Sequence, residues 1–227
     1  MPTDTDLDLS TKRFLLPPMH REGRRFVLAA ALLTLVLTVA WPPLFWPGLL
    51  LTYGVFLFFR DPERVPPADA QTSILSPADG IVCLLMQVPI PAALAADSQP
   101  VWRVSVFMSV LDVHVNRMPV AATVQKMHYI PGAFLNASLD KASDDNERML
   151  YLLSMACGRT LAVVQIAGLI ARRIVTFARE GQVLTIGERF GLIRFGSRVD
   201  VYLPAGVAPC VRVGQIMVAG ETPIARL

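Results

Sequence analysis

Lysine, histidine and cysteine each occur only three times in 227 residues. The lysines are Lys12, Lys126 and Lys141, and none stands in a recognisable cofactor-lysine context, which speaks against pyridoxal phosphate. None lies beyond Lys141, so a carrier domain with a modified lysine at a C-terminal hairpin tip is excluded. Cys83, Cys157 and Cys210 are odd in number, far apart and set among apolar residues. They are expected to be buried thiols in a reducing compartment, with neither a disulfide framework nor a metal site. Charge is scarce too: Asp, Glu, Lys and Arg make up 17% of the chain against 53% hydrophobic residues. A mean hydropathy of +0.48 lies outside the range of soluble proteins. The net charge of +3 leaves no case for a nucleic-acid partner.

The apolar excess is concentrated. Residues 26–59 contain no Asp, Glu, Lys, Arg or His. A charge at a helix centre costs about 2.5–3.5 kcal/mol on insertion scales, so such a stretch is informative. Trp41-Pro42-Pro43-Leu44-Phe45-Trp46-Pro47-Gly48 interrupts it, because proline cannot continue a helical ladder. The arms on either side, about 12–15 residues each, span roughly 18–23 Å as helix. The hydrocarbon core is roughly 30 Å thick. The pattern predicts a helical hairpin that dips into a membrane or barely crosses it; a hairpin buried in a soluble core is the alternative. Lys12, Arg13, Arg21, Arg24 and Arg25 precede the stretch, and Arg60 and Arg64 follow it. By the positive-inside rule both flanks are cytoplasmic, where they can meet anionic lipid. Arg24-Arg25-Phe26 has the look of a twin-arginine signal. No small-residue cleavage site follows, and a second apolar arm does, so a signal peptide is not expected.

Three segments follow from this pattern: a basic one (1–25), the hairpin (26–59) and a single domain (60–227), entered through Pro66-Pro67. Apolar or alternating runs at 103–108, 122–130, 149–156, 160–166, 191–195, 199–203 and 210–213 predict strands, many separated by Gly, Pro, Asn or Asp. Helical spacing with a basic face predicts one short helix over 169–178. Residues 88–100 predict a surface loop. The run 211–222 looks like half of a biotinyl or lipoyl carrier barrel. The expected fold is mainly β (α+β), a β-rich core with barrel-sandwich character behind a helical membrane hairpin.

One dipeptide in this domain can carry chemistry. Gly196-Ser197 lies between the apolar runs 190–195 and 199–203. Glycine has no Cβ, so its carbonyl is open to close approach and its dihedrals to strain. The Ser197 hydroxyl can attack that carbonyl and shift the acyl group from nitrogen to oxygen. Elimination of the ester would leave a new N-terminal pyruvoyl group. The plain alternative is a hairpin turn. Two further stretches supply what the chemistry needs. Ser76-Pro77-Ala78-Asp79-Gly80 precedes the strand-like run 81–86, and Asp112-Val113-His114-Val115-Asn116-Arg117-Met118-Pro119 follows the run 103–108. His114 is suited to move a proton near neutral pH, and a carboxylate such as Asp79 can fix its tautomer.

Taken together these residues resemble the phosphatidylserine decarboxylase family in its short, bacterial and archaeal-like form. The likeness includes Phe59-Arg60-Asp61-Pro62-Glu63-Arg64, Asp140-Lys141-Ala142-Ser143, Asn146-Glu147-Arg148 and the run from Gly187 to Arg198. It implies self-cleavage between Gly196 and Ser197 into a β chain, 1–196, and an α chain, 197–227, that stay associated. The pyruvoyl group made from Ser197 would be the covalent cofactor. It would form a Schiff base with phosphatidylserine and release CO2 and phosphatidylethanolamine, with His114 reprotonating the α-carbon. A pyruvoyl ketone is an electron sink of the kind that pyridoxal phosphate supplies elsewhere. Longer members carry Thr where Arg198 stands and a second His where Arg117 stands, which leaves His114, oriented by Asp79, as the base for both processing and turnover. His20 and His128 are lesser candidates. Lys141, Arg148 and the Arg172-Arg173 pair are candidates for the phosphodiester. The resemblance places the protein on the cytoplasmic face of the inner membrane, with anionic lipid as partner, and is compatible with a homo-oligomer. The rival from another class is a membrane-anchored, non-catalytic barrel-sandwich adaptor with an intact chain. A pyruvoyl decarboxylase for a soluble amino acid is a third reading, and it gives no reason for the apolar anchor.

Overall fold

The computed structural model describes residues 16–95, 99–132, 146–168, 173–194 and 197–227. The chain divides into two units, Met1–Glu63 and Arg64–Leu227. In the first, helices α1 (Arg24–Ala40) and α2 (Phe45–Phe58) are joined by a single 3-10 turn, Pro42–Leu44. The break is narrower than the sequence suggests. Pro47 and Gly48 lie inside α2, where a proline at the third position costs nothing, because the first N–H groups of a helix have no partner within it. The two helices pack against each other. The hydroxyls of Thr34 and Thr52 lie 3.0 Å apart, and a Cβ on Gly48 would stand 2.6 Å from the Thr34 methyl. No residue of α1 is buried. Leu28, Leu32, Leu35, Val39, Trp46 and Leu50 are all more than 60% exposed, an apolar surface that the described residues leave open. The segment Arg21–Ala40 is long and apolar enough to cross a membrane, and Pro42–Phe58 is shorter. His20 belongs to this unit, where its ring accepts the Glu22 N–H at the start of a short 3-10 turn.

The second unit is mainly β. Its strands are β1 (Ser73–Leu75), β2 (Gly80–Val88), β3 (Val101–Met108), β4 (Val115–Arg117), β5 (Ala122–Ile130), β6 (Arg148–Ser154) and β7 (Thr160–Ala167). Six short or central ones follow: β8 (Ile174–Thr176), β9 (Val183–Leu184), β10 (Arg189–Ile193), β11 (Ser197–Tyr202), β12 (Ile216–Met217) and β13 (Pro223–Arg226). Among the described residues they form an eight-stranded sheet ordered β12-β2-β3-β11-β7-β6-β5-β9, a three-stranded sheet β4-β10-β8 and a pair β1-β13. All the pairings are antiparallel, with bulges in β2 between Val82 and Leu84 and in β5 between Val124 and Lys126. Side chains alternate across a strand. One face of the large sheet therefore carries Val104, Val106, Val163, Val199 and Val201 into the main core. The other carries Leu150, Val164, Ile166 and Tyr202 into a smaller cluster with Leu94 and Val101.

Several expectations change here. The described part of 169–178 contains the strand β8 and no helix, since Ile174, Val175 and Thr176 are β-branched and pair with β10. Residues 210–213 are loop, anchored by the Cys210 N–H on the Ile224 carbonyl. The 88–100 loop is less superficial than expected, because Leu94 closes the smaller cluster. Cys157 and Cys210 are exposed, since both fall in turns outside the sheets, and only Cys83 is partly covered.

Candidate functional site

Strands β10 and β11 follow one another in sequence but do not pair. β10 lies between β4 and β8, whereas β11 lies between β3 and β7 in the large sheet. The Gly196-Ser197 junction is thus a crossing from one sheet to another, and a two-stranded hairpin turn is ruled out. Gly196 itself is outside the described residues. Ser197 is the first residue of β11, fully buried, with Met108 of β3 on one side and Ala167 of β7 on the other. Its Oγ lies 3.9 Å from the Met108 sulfur.

The other motifs converge on this end of the sheet. The Ser76–Gly80 turn meets β4 through the Arg117 N–H on the Pro77 carbonyl, at 2.9 Å. Gly80 has φ +138°, and a Cβ there would lie 2.0 Å from the Phe107 carbonyl oxygen, so only glycine lets this turn press against β3 beside Met108. Asp79 accepts from the Ala219 N–H at 2.8 Å and from Arg64 at 2.7 Å. Its carboxylate thus fixes the turn to the 218–222 loop. The run 187–193 is laced to 114–118 by β4–β10 pairing and by the Ile193 N–H on the His114 carbonyl, 3.2 Å.

His114 is fully buried, and its Nδ1 lies 2.9 Å from the Asp112 carbonyl. A carbonyl can only accept, so Nδ1 carries the proton and Nε2 is the basic nitrogen. The Asp112 backbone carbonyl thus fixes the tautomer at Nδ1. Arg117 is buried and donates to the Gly187 carbonyl at 3.0 Å. That bond ties β4 to the loop before β10. His128 is exposed on β5.

Of the basic candidates, Lys141 and Arg172 lie outside the described residues. Arg148 opens β6 in the cross-strand row Arg198–Ile166–Arg148, on the sheet face opposite the Ser197 side chain. Arg173 is exposed, and its carbonyl accepts the Arg194 N–H at 3.3 Å, three residues before Ser197. No group of His, Cys, Asp and Glu among the described residues could hold a metal ion.

Sequence reading missed three features. Arg198 and Asp200 are wholly buried and form a two-point ion pair (2.8 and 3.0 Å), with Arg103 at 3.8 Å from the same carboxylate. Two charges at alternate positions within an apolar strand were the available signal. Burial, reinforced by Asp200, pushes the neighbouring Tyr202 hydroxyl up to about 12, and burial also raises the Cys83 thiol. Asn146, part of a motif already singled out, donates to the Ala167 carbonyl at 2.7 Å and so holds β7 directly beside Ser197. Gln165, the one amide in the apolar run 160–167, joins a buried chain with Asn116 and Tyr151.

A buried serine opening a core strand, a buried histidine of defined tautomer and a chain crossing between sheets together define an enzyme interior rather than an adaptor surface. The comparisons agree. The family model for phosphatidylserine decarboxylase matches residues 52–225. A phosphatidylserine decarboxylase proenzyme of Cereibacter sphaeroides is 56% identical over 210 residues, covering 92% of this chain and 90% of the relative. One from Ruegeria pomeroyi is 56% identical over 212 residues (93% and 96%), and one from Novosphingobium aromaticivorans 52% over 221 (93% and 87%). The chain belongs to the phosphatidylserine decarboxylase family.

Proposed function

We propose that the chain is a proenzyme that cuts itself between Gly196 and Ser197, and that the pyruvoyl group so formed decarboxylates phosphatidylserine to phosphatidylethanolamine. The observation that carries this reading is the placement of Ser197, buried at the crossing between two sheets with the 76–80, 112–119 and 187–193 motifs bonded to one another around it. The pyruvoyl ketone supplies the electron sink for loss of CO2. The buried surroundings of Ser197 keep bulk water from the reacting atoms. His114, basic at Nε2, takes the proton during processing and returns one to the α-carbon in turnover. Asp79 is a positioning residue, since its carboxylate holds the turn that shapes this end of the sheet. The phosphodiester is assigned to Lys141 and Arg148, with Arg173 beside Arg194 as a further cation. The apolar hairpin holds the enzyme at the cytoplasmic face of the inner membrane, where its basic flanks meet anionic lipid.

Ser197→Ala tests this directly. The variant is expected to stay as one chain and to release no CO2 from phosphatidylserine vesicles, while the native protein runs as two pieces on a denaturing gel. A Ser197→Ala protein with native activity overturns the proposal. Assay of free serine beside the vesicles separates lipid from soluble substrate.

A further inference from the structure

The interior of the β domain holds a hydrogen-bonded chain with a fixed direction. Tyr151 (β6), Gln165 (β7) and Asn116 (β4) are each no more than 1% exposed. The Tyr151 hydroxyl donates to Gln165 Oε1 at 2.7 Å. That bond turns the Gln165 amino group away, and it donates to Asn116 Oδ1, also at 2.7 Å. The Asn116 amino group must then point the other way. There, among the described residues, it meets only the Pro77 carbonyl at 3.5 Å and the Met108 sulfur at 3.6 Å. The first contact is long, and a thioether is a weak acceptor. The same sulfur is the contact of Ser197 Oγ. Of the two buried Asn116 N–H donors, one therefore shares the Met108 sulfur with the reacting serine, and both are poorly used at rest. Space for the chain is built in, since a Cβ on Gly191 would stand 2.7 Å from Gln165 Nε2.

We infer that Asn116 is the donor for the leaving oxygen in self-cleavage, held in aim by Gln165 and Tyr151; this rests on the self-cleavage reading above. In the first step Ser197 Oγ bonds to the Gly196 carbonyl carbon, the amide C–N bond breaks and the hydroxyl proton ends on the freed nitrogen. In the second, a base removes the Ser197 Cα proton and the Cβ–Oγ bond breaks. Its electron pair stays on Oγ, which departs as an oxygen of the Gly196 carboxylate and leaves dehydroalanine. Tautomerisation to the imine and addition of water then give the ketone and release ammonia. Negative charge grows on Oγ only in the second step, and a preset N–H donor there acts where charge develops. Asn116 thus serves the elimination more than the acyl shift.

The test is to follow processing of freshly synthesised Asn116→Leu, of similar volume but without donors, with and without hydroxylamine. The expected result is that splitting slows at least 100-fold and that an ester accumulates. Hydroxylamine should cleave that ester to leave serine, not a ketone, at the start of the small piece. Splitting at the native rate, or slow splitting with no hydroxylamine-sensitive ester, overturns the inference, because a merely structural defect would slow the acyl shift as well. Tyr151→Phe keeps Asn116 but releases its aim. It is expected to accumulate the same ester with a slowing of several-fold, and it decides the matter if the leucine variant does not fold; a phenylalanine variant without the ester overturns the inference. A native chain that never splits would instead remove the self-cleavage reading itself.

Discussion

Arg198 shows how much a single residue beside the cleavage position is asked to do. Its guanidinium and the Asp200 carboxylate are both fully buried and bonded at two points, so neither charge meets water. Removing one partner strands the other, which costs about 3–5 kcal/mol, whereas replacing a buried pair with apolar residues of similar size is often neutral. Asp200→Ala is therefore expected to lower the urea midpoint sharply, and Arg198→Met with Asp200→Leu to recover part of the loss, since Arg103 still loses the same carboxylate. Equal damage from single and double variants would contradict the pairing. Tyr202 offers a second reading of the same face. Its hydroxyl is raised from an ordinary 10 to about 12 by burial and by Asp200. The unfolded chain ionises first as pH rises, so the stabilisation is complete below pH 10 and is lost as the pH climbs toward about 12. Tyr202→Phe is expected to flatten that alkaline limb in urea melts at pH 8 to 11. A limb unchanged by the substitution would place its cause elsewhere.

The strands rich in β-branched residues, β2, β3, β5, β7 and β11, were legible in the sequence because their apolar patterns fit a pleat buried on one or both faces. Ser197, His114 and Asp79 were legible as residues of suitable chemistry. What they touch was not. The tautomer of His114 is set by a main-chain carbonyl two residues earlier, and a side-chain pattern carries no trace of that bond. The short strands β1, β8, β9, β12 and β13 escaped because two to four residues establish no period, and each exists through a partner distant in sequence. The region 169–178 misled for the same reason: helical spacing in a short window yields to the β-branched triplet that β10 requires. Most consequential is the separation of β10 from β11. Nothing in a linear reading tells a hairpin from a crossing between sheets, and the crossing removes the ordinary-turn explanation of Gly196-Ser197.

At the scale of the molecule, the proposed cut falls where it releases nothing. The small piece begins with β11, which is paired along all six residues to β3 and to β7 of the large piece. It continues with β12 on β2 and β13 on β1. The two pieces are expected to copurify under native conditions and to part only in denaturant; a small piece lost on native gel filtration would contradict this topology. The apolar hairpin lies in a compact unit, Met1–Glu63, separate from the β domain, and one of its helices is long and apolar enough to cross a membrane.

The central claim is that one peptide bond in this chain is converted by its own neighbours into a ketone. Mass spectrometry of denatured protein, taken from a preparation actively releasing CO2 from phosphatidylserine vesicles, examines it most directly. The account predicts two fragments, 1–196 and 197–227, with the smaller one lighter by one ammonia than the same peptide starting in serine. A fully active preparation consisting only of the uncut 227-residue chain would contradict it.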